Sequence, residues 1–137
     1  MASMRLTTFT DYTLRTLIYL ASRRARLCTV AEIAATHCMS KHHLTKVVYR
    51  LGQAGTIRTV RGRNGGIMLA HPAHEIRVGQ VVRNSEPDFY MADCFDALRA
   101  TCRYAGRCRV QDALGQATDA FLATLDALTL ADLVLSD

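Results

Sequence analysis

A mainly α-helical winged helix-turn-helix with a small β-hairpin, joined to a cysteine-bearing loop and a long dimerisation helix, is the fold this 137-residue sequence predicts. Three observations lead there. Apolar residues recur at helical spacing in three short segments before Gly55. A Gly-rich turn then joins two short apolar-rich runs, the pattern of a hairpin. Beyond Pro72, one long amphipathic segment follows a stretch that holds Cys94, Cys102 and Cys108.

The elements follow in order. Thr10 can cap a first helix, with Leu14, Leu17, Ile18 and Ala21 at i, i+3, i+4 and i+7. Arg23, Arg24 and Arg26 close it, where cations suit the negative end of the helix dipole. Thr29-Val30-Ala31-Glu32 is a capping box opening a second helix, which turns Ile33 and Ala34 inward and ends near His37-Cys38. Ser40 caps a third helix with Leu44, Val47, Val48 and Leu51 on one face. Its other positions include Lys41, His42, His43, Thr45, Lys46 and Arg50, and Gly55 stops it. Two short helices around a tight turn, the second basic on its exposed side, form a helix-turn-helix pattern.

Thr56–Val60 and Ile67–Leu69 read as strands around Arg61-Gly62-Arg63-Asn64-Gly65-Gly66, a wing with an Asn-Gly turn and two arginines at its tip. Pro72 breaks the chain, and Ile76, Val78, Val81 and Val82 support a fourth helix ending before Pro87. Residues 87–106 are irregular. A long helix from about Cys108 to Leu128 carries Leu114, Ala117, Phe121, Leu122, Leu125 and Leu128, and Thr129 caps a last turn, Leu130 to Leu135. Residues 1–72 are thus expected to form a DNA-binding domain, and 73–137 the cysteine loop and dimerisation helix.

Charge separates the halves. Residues 1–70 hold 11 Lys and Arg against Asp11 and Glu32; residues 71–137 hold 6 Arg against 10 acids. A polyanion partner is expected for the front half, the alternative being a solvated basic face. The long helix has little nearby chain to cover its apolar stripe, which favours a partner subunit over folding back. A homodimer would suit a helix-turn-helix protein reading a palindromic double-stranded DNA operator. No run approaches the roughly 18 apolar residues of a membrane span, and no signal segment opens the chain. The expected location is cytoplasmic, without a membrane partner. No paired carboxylates, nucleophile–base set or phosphate loop is evident, so an enzyme is not expected.

Five cysteines, an odd number in a reducing compartment, point away from disulfides and toward metal or redox chemistry. The spacing Cys94-x7-Cys102-x5-Cys108 is wider than that between paired zinc ligands. Wide gaps suit a larger object, and thiolates are soft donors preferred by iron–sulfur clusters and zinc. Arg99, Arg103, Arg107 and Arg109 intersperse the thiols and would favour their ionised form. A fourth ligand must come from elsewhere, since no histidine lies beyond His74. The alternative is three small packing residues. Cys28 and Cys38, among apolar helix residues, are read as packing.

Together these residues resemble the Rrf2 family of winged-helix transcription regulators, and within it the nitric-oxide-sensing repressors. The likeness covers nearly the whole chain. It begins at Met4-Arg5-Leu6-Thr7-Thr8-Phe9-Thr10-Asp11-Tyr12, which leaves Met1-Ala2-Ser3 as a leader. It continues through the wing Arg61 to Ile67 and the three cysteines to Thr129-Leu130-Ala131-Asp132-Leu133-Val134. The resemblance implies an iron–sulfur cluster on Cys94, Cys102 and Cys108, with 4Fe–4S favoured and 2Fe–2S possible. It implies Asp11, supplied by the opposite subunit, as fourth ligand, with Arg15 beside it steadying the cluster by charge. It also implies a repressor released from DNA when nitric oxide attacks the cluster. Gln111, three residues after the third cysteine, stands where the family's cluster-assembly regulators carry a histidine. Expected DNA contacts are Ser40, Lys41, His42 and His43 in the major groove, Lys46 and Arg50 on phosphates, and Arg61, Arg63 and Asn64 on the wing. Two alternatives stay open: a cluster-assembly-type, iron- or redox-responsive regulator of the same family, and a zinc-stabilised protein that binds DNA constitutively.

Overall fold

The computed structural model describes residues 4–23, 26–99 and 101–135. It contains helix α1 (Thr8–Ser22), α2 (Val30–His37), α3 (Lys41–Gln53), strands β1 (Ile57–Val60) and β2 (Gly66–Leu69), then α4 (Val78–Ser85), α5 (Arg109–Asp126) and α6 (Leu130–Leu133). One-turn 3-10 helices at Ala73–Glu75 and Asp93–Phe95 complete it. A mainly helical winged helix-turn-helix with one antiparallel hairpin is therefore the observed class.

The first helix starts earlier than its sequence suggests. Thr7 is the cap, its hydroxyl accepting from the Thr10 amide. Thr10 itself is buried and donates its hydroxyl to Glu86, at the end of α4. The buried face of α1 is correspondingly rotated: Thr10, Thr13, Thr16, Leu17 and Leu20 are inside, while Leu14 and Ile18 are half-buried. Threonine tolerates that burial because Thr13 and Thr16 donate to the carbonyls of Phe9 and Tyr12, both at 2.7 Å. Of the arginines expected to close α1, Arg24 and the leader Met1-Ala2-Ser3 lie outside the described residues. Arg23 lies over the Tyr19 ring, 3.7 Å from its centre. Arg26 instead pairs with Glu32 at 3.0 Å.

The Thr29–Glu32 capping box forms as the sequence indicates, with Thr29 N donating to Glu32 Oε1 at 2.7 Å and Glu32 N to Thr29 Oγ1 at 3.1 Å. The Arg26 guanidinium first, then the Thr29 amide, hold the Glu32 carboxyl down to about 2. The turn between α2 and α3 corrects one reading. Cys38 adopts the left-handed conformation that ends α2 (φ 53°) and is exposed; Met39 is the residue that packs inside. Cys28 does pack. It is fully buried and exchanges two backbone hydrogen bonds with Ile67, at 2.9 and 2.8 Å, pinning the hairpin to the helical body.

Residues from both ends of the chain share the core. Leu17, Ile33, Leu44, Val47 and Ile67 pack with Ile76, Val81 and Leu130, the last only 1% exposed. The last turn is set by Thr129, whose amide donates to Asp132 at 2.8 Å. α4 meets the end of α5 across Gly79 and the Arg83–Asp126 ion pair. The rest of α5 is bare: none of its 18 residues is buried, and Val110 and Phe121 are 63% and 43% exposed. No helix among the described residues is long and apolar enough to cross a membrane.

Candidate nucleic-acid interface and cysteine loop

α3 is the helix with a free polar side. Its core row, Leu44, Val47 and Leu51, is buried, while Lys41, His42, Lys46 and Arg50 are exposed. Ser40 caps it by accepting from the His43 amide at 3.3 Å, which leaves the hydroxyl proton free to donate outward. His43 is placed differently from its neighbours. It is half-buried and turned toward α1, its ring 4.8 Å from that of Tyr12 and 6.1 Å from that of Phe9. The Arg50 guanidinium lies 5.1 Å from the centre of the Phe9 ring. Aromatic rings and a guanidinium thus couple α1 to α3 side by side.

The wing is a five-residue loop, one residue shorter than the six between the expected strands, because Gly66 joins the second strand. The last cross-strand pair is Val60 with Gly66, and Gly65 N donates to Gly62 O at 3.0 Å. That reverse turn places Arg63 and Asn64 at its middle, with Asn64 at φ 64°, the positive value a type II turn requires at its third residue. Arg61, Arg63 and Asn64 are all exposed. Two glycines make this possible. A Cβ on Gly65 would meet Val60 O at 2.1 Å, and one on Gly66 would meet Cys28 O at 2.6 Å.

The cysteine loop starts where α4 ends. Glu86, the residue before Pro87, accepts from the Thr7 amide at 3.2 Å on both carboxylate oxygens and from the Thr7 and Thr10 hydroxyls. The root of the loop is therefore clamped to the first turn of α1. One residue beyond Thr10, Asp11 is paired with Arg15, Arg15 Nε to Asp11 Oδ1 being 3.1 Å. Cys94 sits half-buried in the short 3-10 helix, and its carbonyl accepts from Gln111 Nε2 at 3.5 Å. Cys102 is exposed in the following turns, and Cys108 is half-buried at the N-cap of α5. All five cysteines are free thiols.

Among the described residues, no three His, Cys, Asp or Glu side chains converge as a site for a single metal ion. Asp11 and the three cysteines are not brought together within one chain. The donor set nonetheless fits a thiolate-held group. It comprises three unpaired thiols within 15 residues, one of them at the N-cap of the 18-residue α5, and thiolates are the soft donors that iron–sulfur groups take.

Comparison with known proteins identifies the family. The family model described as "Rrf2: Iron-dependent Transcriptional regulator" matches residues 6–136. The chain is 48% identical to the HTH-type transcriptional regulator NsrR of Bacillus subtilis, over 96% of this chain and 90% of that protein. It is 46% identical to NsrR of Geobacillus kaustophilus, with the same coverage. Among solved structures, the oxidised form of Staphylococcus aureus CymR superposes with a TM-score of 0.77 at 29% identity, over 98% of each chain.

Proposed function

The chain belongs to the Rrf2 family of transcriptional regulators, and from that premise we propose that it is an iron–sulfur-dependent repressor, released from its operator by nitric oxide. It regulates transcription and is not an enzyme. The observation that carries the sensing part is the clamp between Glu86 and the first turn of α1. Through it the cysteine loop is continuous with the helix that bears Asp11 and stacks on α3. The resemblance to the family's nitric-oxide-sensing repressors is what supports nitric oxide as the signal.

In this reading Cys94, Cys102 and Cys108 of one protomer hold a 4Fe–4S cluster, with Asp11 of the partner subunit as the fourth ligand. When bound, the cluster supplies iron that reacts with nitric oxide. Arg15 holds the Asp11 carboxylate in the structure. With Asp11 as a ligand, Arg15 would supply a positive charge to offset the thiolates. The largely exposed length of α5 supports a homodimer, because its Val110 and Phe121 stay 63% and 43% exposed within the chain. With Asp11 engaged across that dimer, each α1, and the α3 stacked on it through Tyr12 and His43, is held at a set distance from its counterpart. Loss of the ligation frees the pair of α3 helices from the half-site spacing. Lys41 and His42 enter the major groove with Ser40 at its edge, Lys46 and Arg50 meet phosphates, and Arg61, Arg63 and Asn64 reach the minor groove. The setting is cytoplasmic.

The test is a native mass spectrum of the protein purified without oxygen. A dimer carrying one 4Fe–4S increment per subunit is expected. A 2Fe–2S increment would overturn the nuclearity and the Asp11 assignment. Zinc, or no increment after reconstitution, would overturn the sensing mechanism.

A further inference from the structure

Periodicity and exposure single out one side chain on α3 beyond those already placed. With Leu44, Val47 and Leu51 buried, a turn of 100° per residue puts His42, Lys46, Tyr49 and Gln53 on the opposite side. Tyr49 is 66% exposed there. Gln53 Nε2 donates to its hydroxyl at 3.2 Å. That bond occupies a lone pair of the phenol oxygen and leaves its proton free to donate. Tyr49 stands eight residues beyond Lys41, about 12 Å along the axis at 1.5 Å per residue. The major groove is about 12 Å wide. If the first turn of α3 lies at the bases, Tyr49 therefore lies where the helix leaves the groove and meets the sugar–phosphate wall.

Resting on the DNA-binding reading above, we propose that the Tyr49 hydroxyl, aimed by Gln53, donates a hydrogen bond to a DNA phosphate. This contact differs from those of Lys46 and Arg50 in a measurable way. A neutral donor displaces no condensed counterion, so it adds affinity without adding to the salt dependence. It also contributes equally on any sequence.

The experiment compares wild-type holo-protein with Tyr49→Phe and Lys46→Ala on two duplexes across a salt series. One duplex is selected by the wild-type protein from a random library, and the other is its scrambled sequence. Tyr49→Phe removes one exposed oxygen and should leave the melting temperature unchanged. It is expected to weaken binding roughly tenfold on both duplexes at an unchanged salt slope. Lys46→Ala is expected to lower the slope by about one. Wild-type affinity in Tyr49→Phe would overturn the contact while leaving DNA binding intact, and so would a loss confined to the selected duplex. Failure of the wild-type protein to bind either duplex would instead overturn the DNA-binding reading itself.

Discussion

Cys102→Ala is expected to give a folded protein that retains no iron–sulfur cluster and binds its operator between about 5- and 150-fold more weakly than the wild-type holo-protein, the usual range of an allosteric coupling. The folding part follows from placement. Cys102 is exposed in a run of turns, so its loss opens no cavity. The cluster part follows from supply, because in the proposed reading the loop offers three thiols and the partner subunit only one further ligand. Asp11→Ala should act in the same direction with a different signature. It breaks the pair with Arg15, which is surface-exposed and contributes little to stability. Its predicted result is a cluster that is retained but lost faster in air, together with DNA binding weakened even while the cluster is present. Cys38→Ser is the control, since Cys38 is exposed and lies outside the loop. Visible absorbance and a binding isotherm on the same sample read both quantities. Full cluster occupancy in Cys102→Ala would remove that thiol from the ligand set.

Gly66→Ala should produce a large loss of stability for a single-methyl change. The added carbon would lie 2.6 Å from Cys28 O and 3.1 Å from Cys28 C, both backbone atoms that cannot rotate away. The strand pairing of Cys28 with Ile67 must open to admit it. An overpacked contact of this kind costs about 1–3 kcal/mol, which lowers the melting temperature by several degrees in a domain of this size. Because the same pairing anchors the wing, DNA affinity should fall as well, even below the melting range. Gly52→Ala is the matched control: nothing lies within 4 Å of its Cβ position, and alanine is the better helix former. A melting temperature in Gly66→Ala equal to that of the wild-type protein would show that the bridge is not tight.

Local chemistry was legible in the sequence wherever a side chain closes its own helix. The Thr29–Glu32 box, the Ser40 cap and the Thr129 turn each form as their spacing indicates. Where partners are distant in sequence, the reading slipped. Thr7 and Thr10 are equally good caps by type, and the choice between them belongs to Glu86, 76 residues beyond Thr10. Cys38 and Met39 are both apolar, but the left-handed backbone that ends α2 sends the first outward and the second inward. His43 looked like its neighbour His42, yet one helical step of 100° turns it onto Tyr12. The hairpin was recognisable from its glycines, whereas its length follows from the register of Val60 with Gly66. The three loop cysteines were conspicuous by spacing. The structure places Cys94, Cys102 and Cys108 apart, on a 3-10 turn, an exposed turn and a helix cap.

The decisive measurement is the affinity of holo-protein, cluster-free protein and nitric-oxide-treated protein for one operator duplex at one salt concentration, all handled without oxygen. Tight binding by the holo-protein alone, with the other two forms weakened alike, is the predicted result. Equal affinity in all three forms would contradict it, leaving a DNA-binding regulator whose cysteine loop does not govern its hold on DNA.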